Sequence, residues 1–574
     1  MNIALGIIFG FILVALALGI RARGGRDMDL EQWSVGGRGF GAIFVFLLMA
    51  GEIYTTFTFL GGSGYAYGHG GPALYILSYG CLAYILSYWM LPPIWRYAKR
   101  HRLISQSDFF ARKYDSPALG ILVAVVGVIA LLPYLVLQLK GLGIIMSVAS
   151  YGSISATFAV WIGATVIAAY VMLSGIHGSA WNSVLKDFSI LAVVLFLGIY
   201  LPLHLYGSYA DMFAAIEAAK PGFLALPAHG ESIVWFDSTV MLTALGFYMW
   251  PHTFGSLYTA RDAQVFRKNA VVLPLYQLIL LFVFFVGFAA VLKAPGLTGP
   301  EIDLSLFRLS LANFDPWFVG VIGGVGVLTA LVPGAMILMA AATLLANNLY
   351  RAAHRGATDA SVSRVAKLMV PLVALVAVLF TLQGGNTIVA LLLMGYSFVT
   401  QLFPSLLASL LPRNRVTAPG AMAGIVAGVA TVAATVLTHT TTRDLLPWLP
   451  VPLLDLNIGI VALTLNLLAM AAVSAATQQR AGAGQGRRRC SGRVRPGHAR
   501  PGGKRRPGWQ AYCMAFGMML RRHPAAGPAD GQAVRRARRA EPQPPAGRAA
   551  VDLGRAAHHR AVRHPRHRRG GVPG

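Results

Sequence analysis

The stretch AGEIYTTFTFLGGSGYAYGHG, residues 50–70, decides how the rest of the chain is read. It lies in an apolar run long enough to cross a bilayer, yet it carries Glu52, Thr55, Thr56 and Thr58 together with six glycines. An ionised carboxylate in hydrocarbon costs at least a few kcal/mol, so a simple anchor has no use for one. Glycines spaced this way let the backbone leave helical geometry. At membrane depth such backbone persists only where it lines protein or a polar cavity. The stretch therefore predicts a discontinuous helix built around a site.

The rest of the chain has the composition to wall that site. Of 574 residues, 56% are hydrophobic and 12% charged, and the mean hydropathy is +0.61. That balance predicts an all-α polytopic membrane protein. The first apolar segment lacks a basic leader and a small-residue cleavage site, and Arg21, Arg23 and Arg26 follow it. It reads as a retained helix. Cys81, Cys490 and Cys513 lie far apart and suggest neither a disulfide framework nor a metal site.

Thirteen apolar runs, each near the ~20 residues a span needs, cover roughly 2–20, 40–67, 72–96, 118–150, 155–174, 184–206, 238–258, 271–293, 318–349, 365–382, 386–411, 419–439 and 456–474. The loops at 21–38, 96–113, 261–268, 351–364 and 413–415 are basic, whereas 211–237 and 301–315 are acidic or poor in Lys and Arg. The positive-inside rule puts the first set in the cytoplasm, the N-terminus outside and the C-terminus inside. Residues 1–39 then form a first helix and loop, 40–411 a core, and 412–477 two further helices.

A second interrupted helix lies about 200 residues after the first, at Met249-Trp250-Pro251-His252-Thr253. Helices 2–6 and 7–11 become two sets of five, each opening on a broken member. Matching breaks in two halves point to an inverted-repeat transporter with a site at the midplane. The plain alternative is a proline kink with no further role. Within helix 4, Gln138 and Lys140 sit deep enough to need a counter-charge, which a carboxylate substrate or Glu52 would supply; snorkelling to an interface is the alternative. Trp250 and His252 face the second break, His252 as a proton relay or as a satisfied interior histidine.

Residues 478–574 form a tail of different composition. From Arg480 onward it holds 23 Lys and Arg against 3 Asp and Glu, so most of the formal net charge of +27 belongs to it. A run such as GRRRCSGRVRPGHARPGGKRRPG cannot bury enough apolar surface to fold. It reads either as an arm for anionic lipid or nucleic acid or as sequence translated out of frame. No nucleic-acid partner is expected of the membrane domain.

Three stretches resemble the sodium:solute symporter family: WSVGGRGFG (33–41) with LGGSGYAYGHG (60–70), ISQSDFFARKY (104–114), and SGIHGSAWNSVLKDF (174–188). MWPHTFGSLYTARD (249–262) and ALVPGAMILMAAATLLANNLYR (330–351) look like its monocarboxylate permease branch. The resemblance implies a LeuT-like five-plus-five inverted repeat and a symporter of the bacterial inner membrane. It would import a short monocarboxylate such as lactate or pyruvate by alternating access. An amino acid or pantothenate symporter, or a solute sensor, is the alternative. No enzyme motif is present, and no cofactor beyond a coupling ion, sodium or proton, is implied.

The resemblance also implies a sodium site, with backbone oxygens of Gly51 and Tyr54 in helix 2 and the carbonyl of Ala330 in helix 9. The family's adjacent hydroxyl pair falls here on Pro333 and Gly334, which have no side-chain oxygen. Pro333 frees carbonyls of the preceding turn, so Thr329 and Ala330 are substitute ligands; otherwise the chain is proton-driven, with Glu52 as carrier. Asp187 matches the family's aspartate on the cytoplasmic side of the ion path, with capping of the helix beside Lys186 as the alternative. Solute contacts are then expected from Glu52, Thr55, Thr56, Gln138, Lys140, Trp250 and His252.

Overall fold

Inside a bilayer each peptide group must find its hydrogen bond within the chain, which an apolar helix does segment by segment. The computed structural model describes residues 3–51 and 54–490, with side-chain environments to residue 478. Among them every extended element is a helix, apart from an isolated parallel bridge between Phe40 and Ala260. The tail beyond residue 490 and Glu52 lie outside the described residues.

After α1 (Ile3–Arg23), α2 (Ala42–Gly51) and α3 (Gly62–His69) are the halves of the first broken helix, joined through a π-helical turn at Phe57–Gly61. Then come α4 (Tyr75–His101), the short α5 (Gln106–Lys113), α6 (Pro117–Ala149) and α7 (Ala156–Tyr206). The second half opens on α8 (Ile233–Gly246) and α9 (Pro251–Tyr258), followed by α10 (Gln264–Leu278), α11 (Leu280–Lys293) and α12 (Pro316–Thr343). Further along are α13 (Asp359–Gln383), α14 (Ile388–Val399), α15 (Phe403–Leu410), α16 (Ala418–Thr438) and α17 (Ile458–Cys490), and shorter helices such as Leu30–Val35, Tyr209–Ala219 and Ser305–Asn313 lie in the connections.

Ten described helices are long and apolar enough to cross a membrane, or eleven with the bent α8–α9 pair counted as one. The expected thirteen runs differ from that number for two reasons. Neither half of the first broken helix is long enough alone. The runs at 155–174 and 184–206 are fused in α7, whose 51 residues would reach ~76 Å if straight. Gly175 (φ 52°, ψ −146°) bends it. A Cβ at Gly175 would stand 2.5 Å from the Trp33 carbonyl oxygen, so conformation and close approach both demand glycine.

The centre of the bundle is α12, with 94% of its apolar window inside the protein, against 28% for α13. α13 therefore presents most of its apolar surface outward, as a lipid-facing helix must. The start of the first broken helix and the end of the second are tied together. The Phe40 amide donates to Thr259 O at 3.0 Å, and the Arg261 amide donates to Phe40 O at 3.0 Å.

Candidate functional site

Each break is made by local chemistry. At the second, α8 ends in a short 3-10 turn, Trp250 is extended (φ −67°, ψ 133°), and Pro251 starts α9 at a bend of 49°. Proline has no amide to lose in a first turn, so it opens the new helix without penalty. The extended Trp250 is clamped from α5, where Gln106 Nε2 donates to Met249 O at 2.7 Å. At the first break the threonines bond locally. Thr58 Oγ1 donates to Thr55 O at 2.9 Å, and Thr55 Oγ1 accepts from the Phe57 amide at 3.1 Å.

Between the two breaks lies a narrow pocket. Phe57 and Thr58 line it from the first break, and Phe247, Trp250, His252 and Thr253 from the second. Tyr79, Tyr134, Gln277, Leu392 and Tyr396 complete it. No Asp, Glu, Lys or Arg is among these residues. Its polar character comes from neutral groups, and two buried ones, Trp250 Nε1 and His252 Nδ1, have no hydrogen-bond partner in the protein. Buried polar nitrogens left without partners mark where a solute atom gains most by binding. His252 also lines a second narrow pocket, with Ser105, Gln106, Met336 and Met339 among its walls. His252 thus belongs to the walls of both pockets.

Of the expected solute contacts, Trp250 and His252 line this pocket, while the others are distributed differently. Thr55 is committed to the local turn. Thr56 Oγ1 donates to Gln138 Oε1 at 2.6 Å and seals the first break against α6. Lys140 has a counter-charge other than a substrate or Glu52: its Nζ lies 2.7 Å from Asp303 Oδ2 and 2.7 Å from Asn386 O. Asp303 is fully buried and also accepts from the Ile388 amide at 3.0 Å. The ion pair fastens α6 to the Gly299–Leu304 turn and to the start of α14. Replacing Lys140 with methionine is expected to cost at least about 1–3 kcal/mol by stranding a buried acceptor. Thermal unfolding checks it, and an unchanged Tm contradicts it.

The expected ion-binding residues separate into two groups. Gly51 and Tyr54 are brought to α7, where Lys186 Nζ donates to Gly51 O at 2.6 Å and to Tyr54 O at 2.9 Å. Asp187 Oδ1 is 3.0 Å from the same nitrogen, with Lys186 0% and Asp187 4% exposed. Both side chains are buried inside α7, well past the Gly175 bend. On α12, Thr329 donates its hydroxyl to Gly326 O at 2.6 Å, and Ala330, Pro333 and Gly334 are buried. A Cβ on Gly334 would meet Ile167 and Gln138. Tyr79, Tyr396 and Gln277 line the pocket and Lys186 meets the first break, although the sequence reading gave none of them a site role. Gln277, a lone amide inside an apolar run, carried a signal; the tyrosines carried none.

A model of the sodium:solute symporter family matches residues 33–428. The symporter YhjB of Bacillus subtilis (strain 168) is 66% identical over 479 residues, covering 83% of this chain and 98% of its own. YodF of the same strain is 34% identical over 425 residues, covering 73% and 85%. The monocarboxylate transport permease protein of Rhizobium johnstonii is 29% identical over 430 residues, covering 73% and 85%. In fold, the chain is similar to a Na+-coupled sialic acid symporter solved in a substrate-bound outward-open state. That likeness has a TM-score of 0.68 at 13% identity and covers 83% of this chain and 97% of that one.

Proposed function

The chain belongs to the sodium:solute symporter family, and on that premise we propose that it imports a short monocarboxylate, of the lactate and pyruvate class, by cation-driven alternating access. The observation that carries this is the uncharged cavity between the two breaks, with Trp250 Nε1 and His252 Nδ1 unpartnered inside it. An indole N–H is a donor only, so it suits the oxygen of a carboxylate better than an ammonium group. The aromatic walls suit a short carbon chain. The 29% identity to the Rhizobium permease, whose name specifies monocarboxylate, points the same way.

In this scheme the solute sits between the breaks, and the step to the second cavity passes His252. Rocking of α8–α9 against the helices around it opens one compartment as the other closes. The driving cation is sodium or a proton. The membrane is the bacterial inner membrane, with the N-terminus outside and the C-terminus in the cytoplasm.

Ligand-dependent unfolding of the purified protein tests the substrate class. Lactate or pyruvate at about 100 times its Kd should stabilise the protein by about 2.7 kcal/mol, and proline or pantothenate should not. Stabilisation by an amino acid alone would sink the monocarboxylate reading. Truncation after Gln479 is expected to leave insertion and uptake intact; loss of either would assign the tail a role in transport.

A further inference from the structure

The family's name implies a sodium ion, and the residues at the first break do not accommodate one. A helix break frees carbonyl oxygens that its own turns no longer use, and oxygens converging in a buried place form a cation site. Here the Gly51 and Tyr54 carbonyls converge on the Lys186 ammonium at 2.6 and 2.9 Å, with Asp187 Oδ1 at 3.0 Å from the same nitrogen. A Cβ on Gly51 would lie 3.3 Å from Nζ and 3.2 Å from Ser183 Oγ, so the lysine fits closely against the end of α2.

We propose that Lys186 is a tethered cation that permanently fills the carbonyl cradle of the first broken helix, so that no sodium ion binds there. An ammonium ion and a sodium ion cannot share the same two oxygens, because like charges in contact repel strongly where water is excluded. Sodium sheds its water only for several protein oxygens. The positions on α12 that the family resemblance assigns to the ion, Pro333 and Gly334, have no side-chain oxygen, and the Thr329 hydroxyl is engaged with Gly326 O. The lysine also neutralises Asp187, which a departing sodium ion would leave as a lone buried anion in each cycle. A lysine supplies the charge without leaving. The consequence is a first break whose shape is independent of the sodium concentration.

The inference rests on the geometry of this cradle and on no particular solute, so its test needs none. Thermal unfolding of the purified full chain is followed in sodium chloride and in choline chloride at equal ionic strength, together with binding of radioactive sodium. The wild type is expected to bind one sodium ion fewer than Lys186→Ala and to gain less thermal stability from sodium. Lys186→Ala leaves the two carbonyls and a buried carboxylate without their cation. Its Tm is expected to fall in choline and to recover by several degrees in sodium. A sodium-specific rise in the wild type as large as in Lys186→Ala, or a folded Lys186→Ala that gains none, overturns the proposal. If that variant does not fold, Lys186→Gln is compared instead, and sodium binding equal to that of the wild type overturns it. A failure of lactate to bind would bear only on the substrate class and leave these results unchanged.

Discussion

Replacing Asp187 with alanine is expected to destabilise the protein by about 3–5 kcal/mol, the cost of breaking a buried ion pair by removing one partner. Lys186 is wholly buried with its ammonium 3.0 Å from the Asp187 carboxylate. Without that carboxylate the carbonyls of Gly51 and Tyr54 still accept hydrogen bonds, yet the buried ammonium loses the anion beside it. Removing both charges should be milder: a buried pair exchanged for apolar side chains of similar volume is often close to neutral in stability. Lys186→Met with Asp187→Leu should therefore recover most of the loss. Chemical unfolding of the two single variants and the double variant in the same detergent measures the coupling. If Asp187→Ala is as stable as the wild type, the pair is not the buried unit described here.

The second large effect is on affinity. Trp250→Phe keeps a ring against Tyr134 and Tyr396, whose centroids lie 4.8 and 5.2 Å from that of Trp250, and deletes the unpartnered N–H. A hydrogen bond to a charged group contributes about 1.5–3 kcal/mol, and each 1.4 kcal/mol is tenfold in affinity, so lactate should bind about 10- to 100-fold more weakly. Lys140→Met, away from the cavity, should leave that affinity unchanged. Equal binding by Trp250→Phe and the wild type would remove Trp250 from the solute site.

Both breaks were legible because each violates what a membrane helix wants. Residues 50–70 concentrate hydroxyls and glycines in hydrocarbon, and Pro251 follows Trp250 where a single span would have no need of it. The structure places the cavity between these two signals. The Lys186 cradle was not legible, for a reason of register. Read as hydropathy, the sixth run starts near residue 184, which puts Lys186 and Asp187 at a helix mouth. The helix resumes directly after Gly175 instead, so Lys186 sits three turns, ~16 Å, inside it. The polar residues Asn182 and Ser183 lowered the local hydropathy and disguised a continuous helix.

Lys140 shows the converse. Its depth demanded a partner, and the partner came from residues 301–315, an acidic segment with the look of a solvated loop. That segment folds inward as the Gly299–Leu304 turn and buries Asp303. Nothing in one sequence says which of several acidic loop residues turns inward. The aromatic walls of the cavity were hidden for a similar reason, since Tyr79 and Tyr396 lie in runs already rich in apolar and aromatic residues.

Counterflow tests the central claim, that this chain carries short monocarboxylates across a membrane, most directly. Proteoliposomes holding the purified protein are preloaded with unlabelled lactate and diluted into a trace of labelled lactate. A transient internal excess of label over protein-free liposomes is expected, suppressed by external pyruvate and untouched by external proline. Label that never exceeds the protein-free level, while another solute shows the overshoot in the same vesicles, would contradict it.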